Sequence, residues 1–290
     1  MIKETKKFFK IYAEDKVAFL FFIILSTLLI IVIFGPFFTL QNPYDLAQLN
    51  IMDSLMPPMS KSFENDIFYL GTDDQGRDLL SAIIYGLRIS LFVGLLSVTI
   101  SLFIGIVLGI ISAYFGGIVD SIIMRIADMV LAMPSFLIAL VLLSILGRGL
   151  ENVVIALVMS QWATFARVIR SSALSEKEKD YFNSARCLCL PQHRIIFGHL
   201  LPNCLPPIIV LSTMNLAFAI TLEASLSFLG VGLPITEPSL GLIISNGYEY
   251  IIVGKYWMSL YPGFFLLITV VSINIFSDRI RILLNPRLNI

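Results

Sequence analysis

The chain has 290 residues, of which 57% are hydrophobic and 14% are charged, and its mean hydropathy is +0.89. Soluble domains carry about 25% charged residues, so this composition excludes an ordinary soluble protein and indicates one built for a lipid bilayer. The formal net charge is zero, which excludes a nucleic-acid-binding protein because no basic surface is available for phosphate contacts.

The first apolar run, Val17–Leu40, follows a lysine-rich head at residues 1–16. A signal peptide has a shorter apolar region and a small-x-small cleavage site, which this run lacks. The run therefore predicts a retained transmembrane helix at 17–40, between a cytoplasmic segment at 1–16 and an external loop at 41–84.

Five further apolar windows predict transmembrane helices, because about 20 apolar residues suffice to cross a bilayer. The window between Glu151 and Arg167 is the shortest, and Met133-Pro134 predicts a kink or a helix start near the beginning of another. The five windows are Ile89–Ala113, Met129–Leu146, Val153–Ala166, Pro207–Leu229 and Tyr256–Ser277.

The distribution of basic residues predicts the orientation. With six spans and both termini in the cytoplasm, fifteen Lys and Arg residues lie inside and five lie outside, which is a strong positive-inside bias. Omitting the span Val153–Ala166 would move the basic stretch 167–194 outside and remove the bias, so this span is retained. The five outside residues are Lys61, Arg77, Arg88, Arg148 and Lys255.

The second span carries a small residue at every fourth position. Such a stripe lines one helix face and lets another backbone approach closely. We expect it to pack inside the chain rather than to form a dimer seam. The stripe consists of Ser97, Ser101, Gly105, Gly109 and Ala113.

Motifs for nucleotide binding and catalysis are missing from the sequence. It contains neither Gly-x-x-x-x-Gly-Lys-Ser/Thr nor Gly-x-Gly-x-x-Gly, and no loop is long enough for a nucleotide-binding domain. No hydrolase motif is present either, so we do not expect an enzyme. The spacing of Cys187, Cys189, His193 and His199 matches no familiar metal site, and a packing role is favoured.

A polar stretch from Tyr181 to Asn203 separates two spans and has a helical pattern. Pro191 can start a second short helix, so the stretch predicts two short helices with a bend, joined to the fifth span. Two interpretations remain open: an amphipathic hairpin on the bilayer surface, or a helix inserted into a groove of a partner. The apolar face has Tyr181, Phe182, Ala185, Leu188 and Cys189, and Asn183, Ser184 and Arg186 lie opposite.

This stretch resembles the EAA loop of the dipeptide/oligopeptide/nickel ABC importer permeases, the segment that docks on an ATPase. It departs from the family at Asn183 and Ser184, where the family has Glu-Ala, and at Cys189, where the family has Gly; the missing Gly bears on how tight the bend is. The matching residues are Ala185, Arg186, Leu188, Arg194, Ile195, Ile196, His199, Leu201, Pro202 and Asn203.

The resemblance extends in order from about Gly71 to Arg287. Residues 71–78, Gly-Thr-Asp-Asp-Gln-Gly-Arg-Asp, are similar to the signature of the second, C-type permease of the pair. Further similar stretches are 116–120, 223–230 and Asn285-Pro286-Arg287.

The family resemblance implies an all-α membrane protein with six transmembrane helices and the type I ABC importer permease (MetI-like) architecture. It implies a five-helix permease core at 85–284 with a coupling loop at 171–206, a cytoplasmic tail at 285–290, and a multi-pass location in the bacterial plasma (inner) membrane. The implied function is that of a permease subunit in an ATP-driven, binding-protein-dependent importer of dipeptides or oligopeptides.

The implied partners are a second homologous permease, two ABC ATPase subunits, an extracytoplasmic substrate-binding protein and the lipid bilayer. ATP and Mg would be bound by the ATPases, and no cofactor or metal is assigned to this chain. The implied ATPase-coupling residues are Asn183, Ser184, Ala185, Arg186, Leu188, Cys189, Pro191, Arg194, Ile195, His199 and Pro202. The external signature consists of Gly71, Thr72, Asp73, Gly76, Arg77 and Asp78.

Several alternatives stay open. Within the family, the substrate can be nickel or a nickel chelate. A proton-coupled secondary transporter would use intramembrane ionisable groups, for which Glu223 alone gives thin support. Glu223 is interpreted as a helix-packing acid, with pathway lining as a second hypothesis. The external signature is interpreted as a turn with charge pairs, with contact to the binding protein as the second hypothesis.

Overall fold

The computed structural model describes residues 15–45, 49–62, 66–188, 190–234 and 236–284. Among these residues the chain forms long and short helices, and the long connection between the first two helices carries an antiparallel pair of short strands, β1 (Ser60–Lys61) and β2 (Ile67–Phe68). The helices are α1 (Lys16–Phe34), α2 (Leu79–Phe115), α3 (Gly117–Ala132), α4 (Ser135–Leu146), α5 (Leu150–Lys177), α6 (Asp180–Cys187), α7 (Gln192–Ile195), α8 (Leu201–Phe228), α9 (Leu240–Tyr248) and α10 (Trp257–Leu284).

Within the described part of the chain, five helical runs are long and apolar enough to cross a membrane, or six if the bent pair α3–α4 counts as one span. The spans predicted at Ile89–Ala113 and Val153–Ala166 lie inside α2 and α5, and the span predicted at Tyr256–Ser277 lies inside α10 except for its first residue. The span with the shortest apolar window is therefore confirmed, as part of a 28-residue helix. The first span ends earlier than predicted, because α1 stops at Phe34 and a 3-10 turn, Gly35–Phe37, follows.

The span predicted at Met129–Leu146 is not a single straight helix, so this prediction was wrong. The stretch contains the end of α3 and all of α4, and the two axes differ by 91°. Met133 is extended, with φ −97° and ψ 142°, because a residue before proline is disfavoured in the α region. The predicted break at Met133-Pro134 is confirmed.

Helices α2 and α5 pack backbone to backbone through the predicted stripe of small residues. A Cβ atom added to Gly105 would lie 2.3 Å from the Cβ atom of Phe165, and one added to Gly109 would lie 2.7 Å from the carbonyl oxygen of Ala166. Ser97 and Ser101 are buried on the same face. The prediction that the stripe packs within the chain is confirmed.

This close contact makes Gly105→Ala a destabilising substitution. We expect a loss of about 1 to 3 kcal/mol in the free energy of unfolding, because a methyl group must be forced into a packed interface. Gly263→Ala is the matched control, since Gly263 lies in α10 and an added Cβ atom there meets nothing within 4 Å. Thermal unfolding in detergent should show a lower Tm for Gly105→Ala only, and equal Tm values would contradict this packing.

The bundle has two ends that differ in content. At one end, the end of α2 and the end of α5 lie side by side, because the Lys177 ammonium donates to the carbonyl oxygen of Ala113 at 2.6 Å. This end holds the described residues of 113–120 and 167–207. The other end holds residues 35–78 and the approach to α10, since Lys255 donates to the carbonyl oxygen of Leu55 at 3.0 Å. We call them the 178–200 end and the signature end.

Helix α8 carries two prolines in its interior, Pro206 and Pro207, close to the 178–200 end. It is central to the bundle and packs on α2, α5, α9 and α10. Helix α1 lies at the periphery, where Phe22 stacks on Phe276 of α10 with ring centroids 6.0 Å apart.

Candidate functional site

The connection between α5 and α8, residues 178–200, contains the two short helices that the sequence predicted. The bend predicted between them falls at Cys189, which lies outside the described residues. Helix α6 is followed by α7 and by a π-helical turn, Ile196–Leu200, that runs directly into α8. The predicted loop 171–206 therefore includes the last turns of α5 and the first turns of α8. Pro191 precedes α7 as its N-cap, in an extended conformation.

One face of this connecting segment (residues 178–200) is part of the hydrophobic core. Phe182 is 1% exposed, and Ala185, Ile195 and Leu200 are also buried. They join the cluster that contains Phe165 and other residues of α5 and α8. The segment is therefore built into the bundle and is not a hairpin that rests loosely against it.

The opposite face of the connecting segment is exposed. Leu188 is 73% exposed, although its large apolar side chain favours burial. Of the other predicted coupling residues, His199 is half-buried, and Cys189 and the side chain of Arg186 lie outside the described residues. The exposed members are Asn183, Ser184, Pro191, Arg194 and Pro202.

Sequence reasoning missed Phe197, which is 69% exposed in the π-helical turn. Ile196 was named among the residues that match the EAA loop, but the neighbouring Phe197 was assigned no role. The sequence signal that could have identified Phe197 is a large aromatic residue within a stretch that is mostly polar. Single π-helical turns occur frequently at functional sites.

A hydrogen-bonded cluster fixes α6 to the end of α5. Glu176 accepts hydrogen bonds from the Tyr181 hydroxyl at 2.7 Å and from the Lys179 ammonium at 2.6 Å. Desolvation and the hydrogen bond to Glu176 raise the pKa of Tyr181 to about 12, so the hydroxyl stays protonated and able to donate at neutral pH. The start of the connecting segment is therefore held rigidly on the bundle.

Ion pairs fix α3 against α5 at the same end. The Arg170 guanidinium donates to Asp120 at 2.6 Å, and Arg167 pairs with Asp128. Ser112 at the end of α2 also donates to Asp120. Together these contacts join α2, α3 and α5 at the end of the bundle that holds the connecting segment.

The external signature forms a tight turn before α2, as the two bracketing glycines predicted. Gly71 and Gly76 have φ values of +84° and +77°, a region that favours glycine. One Asp73 oxygen accepts from the N–H groups of Gln75 and Arg77, both at 2.9 Å. Asp78 caps α2 by accepting from the Ser81 N–H at 2.9 Å.

Thr72 ties this turn to the chain before it. Its hydroxyl donates to the carbonyl oxygen of Asp53 at 2.6 Å and accepts from the Met56 N–H at 2.8 Å. Arg77 is buried and lies 3.7 Å from the second oxygen of Asp73. This geometry agrees with the interpretation of the signature as an ordered turn that contains a charge pair. The contact of the signature with a binding protein stays a prediction.

Burial raises the pKa of Asp73 to about 6, although the hydrogen bonds from Arg77 and Gln75 act in the opposite direction. Burial raises the pKa of Asp78 as well. Because an unfolded aspartate has a pKa near 3.9, the folded protein binds the Asp73 proton more tightly. This stabilisation is complete below about pH 4 and is lost as the pH rises through about 6.

We therefore expect a higher Tm at pH 5 than at pH 7, with a contribution from Asp73 of up to about 3 kcal/mol over the full window. Asp73→Asn keeps an oxygen for the Gln75 and Arg77 N–H groups and removes the titration. Thermal unfolding in detergent should show a smaller pH dependence for the variant. The same pH dependence in both proteins would contradict the assignment to Asp73.

Glu223 is fully buried at the meeting point of α2, α8 and the start of α9. Its carboxylate accepts from the Ser90 hydroxyl at 2.7 Å and from the Ser227 hydroxyl at 2.8 Å, and Ser239 makes a further side-chain hydrogen bond to it. Ser239 also caps α9 by accepting from the Leu242 N–H at 3.2 Å. The carboxylate therefore joins three elements; its place in a pathway stays a hypothesis.

The described residues show no grouping of three or more His, Cys, Asp or Glu side chains that is suited to a metal ion. Cys187 is exposed and Cys204 is buried.

Solved structures of transporter permeases share this fold. A chain of the MetNI methionine ABC transporter in inward-facing conformations superposes with a TM-score of 0.58 at 20% identity, covering 71% of this chain and 98% of that chain. A chain of an amino acid ABC transporter with histidines gives a TM-score of 0.54 at 15% identity and covers 70% and 94%. At these identities the likeness shows the fold.

Curated proteins are similar over nearly the whole chain. The dipeptide transport system permease protein DppC of Alkalihalophilus pseudofirmus is 36% identical over 287 residues, covering 99% of this chain and 91% of the relative. DppC of Haemophilus influenzae is 35% identical and covers 98% and 95%. The oligopeptide transport system permease protein OppC of Bacillus subtilis is 34% identical and covers 96% and 88%.

The fold, together with relatives named as transport system permeases over nearly the whole chain, defines a multi-pass helical membrane protein of the ABC importer permease class with the MetI-type architecture that the sequence predicted. The family described as binding-protein-dependent transport system inner membrane component matches residues 105–290. The chain belongs to this family, whose description is that of a transport component.

Proposed function

We propose that the chain is the permease subunit of an ATP-driven importer of dipeptides or oligopeptides in the bacterial inner membrane, with both termini in the cytoplasm. It pairs with a second permease, two ATPase subunits that bind ATP and Mg, and an extracytoplasmic binding protein. Support comes from relatives named as dipeptide and oligopeptide permeases over nearly the full chain.

The observation that carries the proposal is the two-sided character of the connecting segment. Its inner face is fixed in the core, with Phe182 only 1% exposed, while Leu188 and Phe197 are 73% and 69% exposed. Large apolar residues on a rigid, otherwise polar surface are typical of anchors for a protein partner. The partner that fits is an ATPase subunit with an apolar groove rimmed by polar groups.

The attachment of α6 to the end of α5 provides a path by which movement of the ATPases reaches the membrane helices. Closure of the ATPases would push on α6, and the Tyr181–Glu176 hydrogen bond passes that force to the end of α5. The π-helical turn passes it to α8. The pathway would then alternate between its outward and inward openings without covalent chemistry on this chain.

Reconstitution tests the proposal. The chain, its second permease, the ATPases and the binding protein are placed in liposomes, and ATP hydrolysis and uptake are measured with a dipeptide. We expect the loaded binding protein to stimulate hydrolysis and uptake to require the ATPases. Uptake that persists without ATPases would contradict the proposal and favour a proton-coupled transporter. If a nickel chelate stimulates ATP hydrolysis and peptides do not, the substrate is a nickel chelate rather than a peptide.

A further inference from the structure

A cavity of about 600 Å³ lies between α1, α2 and α10 at the signature end of the bundle. This volume is within the range of about 300–1,000 Å³ that is typical of small-molecule sites. Its apolar part is lined by Ile31, Phe34, Ile84, Leu87 and Phe265. Phe34 is an exposed residue of α1, so the cavity lies beside the helix face that meets the lipid.

The polarity of the cavity changes along α2. Asp78 and Ser81, at the start of the helix, line one end together with Thr39 and Tyr69, whereas Leu87 lines the other. From residue 78 to residue 87 a helix rises about 14 Å. This is about half of a hydrocarbon core roughly 30 Å thick, that is, one leaflet. The cavity therefore has the length and polarity gradient of a site for one lipid chain and its head.

The polar end has an acidic character. Asp78 uses one carboxylate oxygen to accept from the N–H and hydroxyl groups of Ser81. The backbone N–H of Leu80 also donates to this carboxylate, and the other oxygen, Oδ1, is buried and unpaired among the described residues. The described lining residues include no Lys or Arg, so an anionic lipid head would face a carboxylate without a cation.

The geometry points to a binding site for a zwitterionic aminophospholipid, with one acyl chain between α1 and α2 and its primary ammonium group at Asp78. An ammonium offers three donors and makes charge-assisted hydrogen bonds with a carboxylate. Since α1 lies before the family match at residues 105–290, the lipid would complete the packing of a peripheral helix against the permease core. This inference does not depend on the proposed transport substrate.

Photo-crosslinking of the full-length protein in nanodiscs tests the site. The probe is phosphatidylethanolamine with a diazirine in its acyl chain, and phosphatidylglycerol with the same diazirine is the matched probe. We expect cross-links at residues 30–40 and 80–87, about tenfold more with phosphatidylethanolamine. Asp78→Asn caps the helix as well as Asp does and should bring the two probes to within about twofold.

A second pair of variants distinguishes binding of the acyl chain in the cavity from general contact with lipid. Ile84→Trp fills the cavity and should reduce labelling by both probes, whereas Phe92→Trp should not, because Phe92 is 54% exposed on α2 and lies outside the cavity lining. Equal labelling by the two probes, or labelling spread evenly over residues 92–103, would overturn the site. An unchanged preference in Asp78→Asn would overturn the head-group contact.

Discussion

Leu188→Asp and Phe197→Asp are each expected to weaken association with the ATPase subunits by at least about tenfold, while the amount of chain in the membrane stays unchanged. Both side chains are exposed, so neither substitution removes a core contact. Each places a charge where an apolar anchor would enter a partner, and such anchors carry most of the binding energy of an interface. Co-purification with the ATPases and peptide-stimulated ATP hydrolysis measure the effect.

The control for this pair is Ile252→Asp. Ile252 is 95% exposed at the signature end of the bundle, between α9 and α10. It has the same kind of exposed apolar side chain at the opposite end from the connecting segment. We expect this variant to bind the ATPases normally. If Leu188→Asp and Phe197→Asp also bind normally, the docking surface lies elsewhere on the chain.

Glu223→Ala is expected to destabilise the protein by on the order of 3 kcal/mol. The substitution removes the acceptor shared by Ser90, Ser227 and Ser239 and leaves a cavity in a packed site. Glu223→Gln has nearly the same shape and offers one acceptor and one donor group, and a serine hydroxyl can accept as well as donate. We expect Glu223→Gln to lose less than about 1 kcal/mol, as measured by thermal unfolding in detergent.

Uptake by the Glu223 variants distinguishes the packing role from the pathway role. If the carboxylate only joins helices, Glu223→Gln keeps normal uptake, and Ser225→Ala, an exposed position on the same helix, does so too. Normal stability and assembly with lost uptake in Glu223→Gln would instead place the charge in the pathway. A stable Glu223→Ala variant would contradict the helix-joining role.

Apolar windows, and the charged residues and prolines at their ends, predicted much of the bundle. Uncharged stretches located five spans, and the basic stretch 167–194 justified keeping Val153–Ala166, which lies inside α5. The pattern of apolar and polar residues in 181–203, with Pro191, predicted α6, α7 and their connection to α8. These features are local, because each depends on residues within a few helical turns.

Other features depend on contacts that sequence spacing does not encode. Pro134 marked a break, but the 91° angle is set by how α3 and α4 pack on α5. Helix α2 begins ten residues before its apolar window, at Leu79, because Leu79, Ile83 and Leu87 are covered by neighbouring elements. Ser90 meets Glu223 across 133 residues, a pairing that only the tertiary fold creates.

The two prolines inside α8 give that helix a hinge. Pro206 and Pro207 have no N–H to donate to the carbonyl groups four residues earlier, at Pro202 and Asn203, so the ladder of hydrogen bonds is interrupted there. The first turn of α8 adjoins the connecting segment, whereas the roughly six turns after Pro207 pack on α2, α9 and α10. We therefore expect a push on the segment to bend α8 at Pro206 and Pro207 and to leave the packing at the far end of the bundle unchanged.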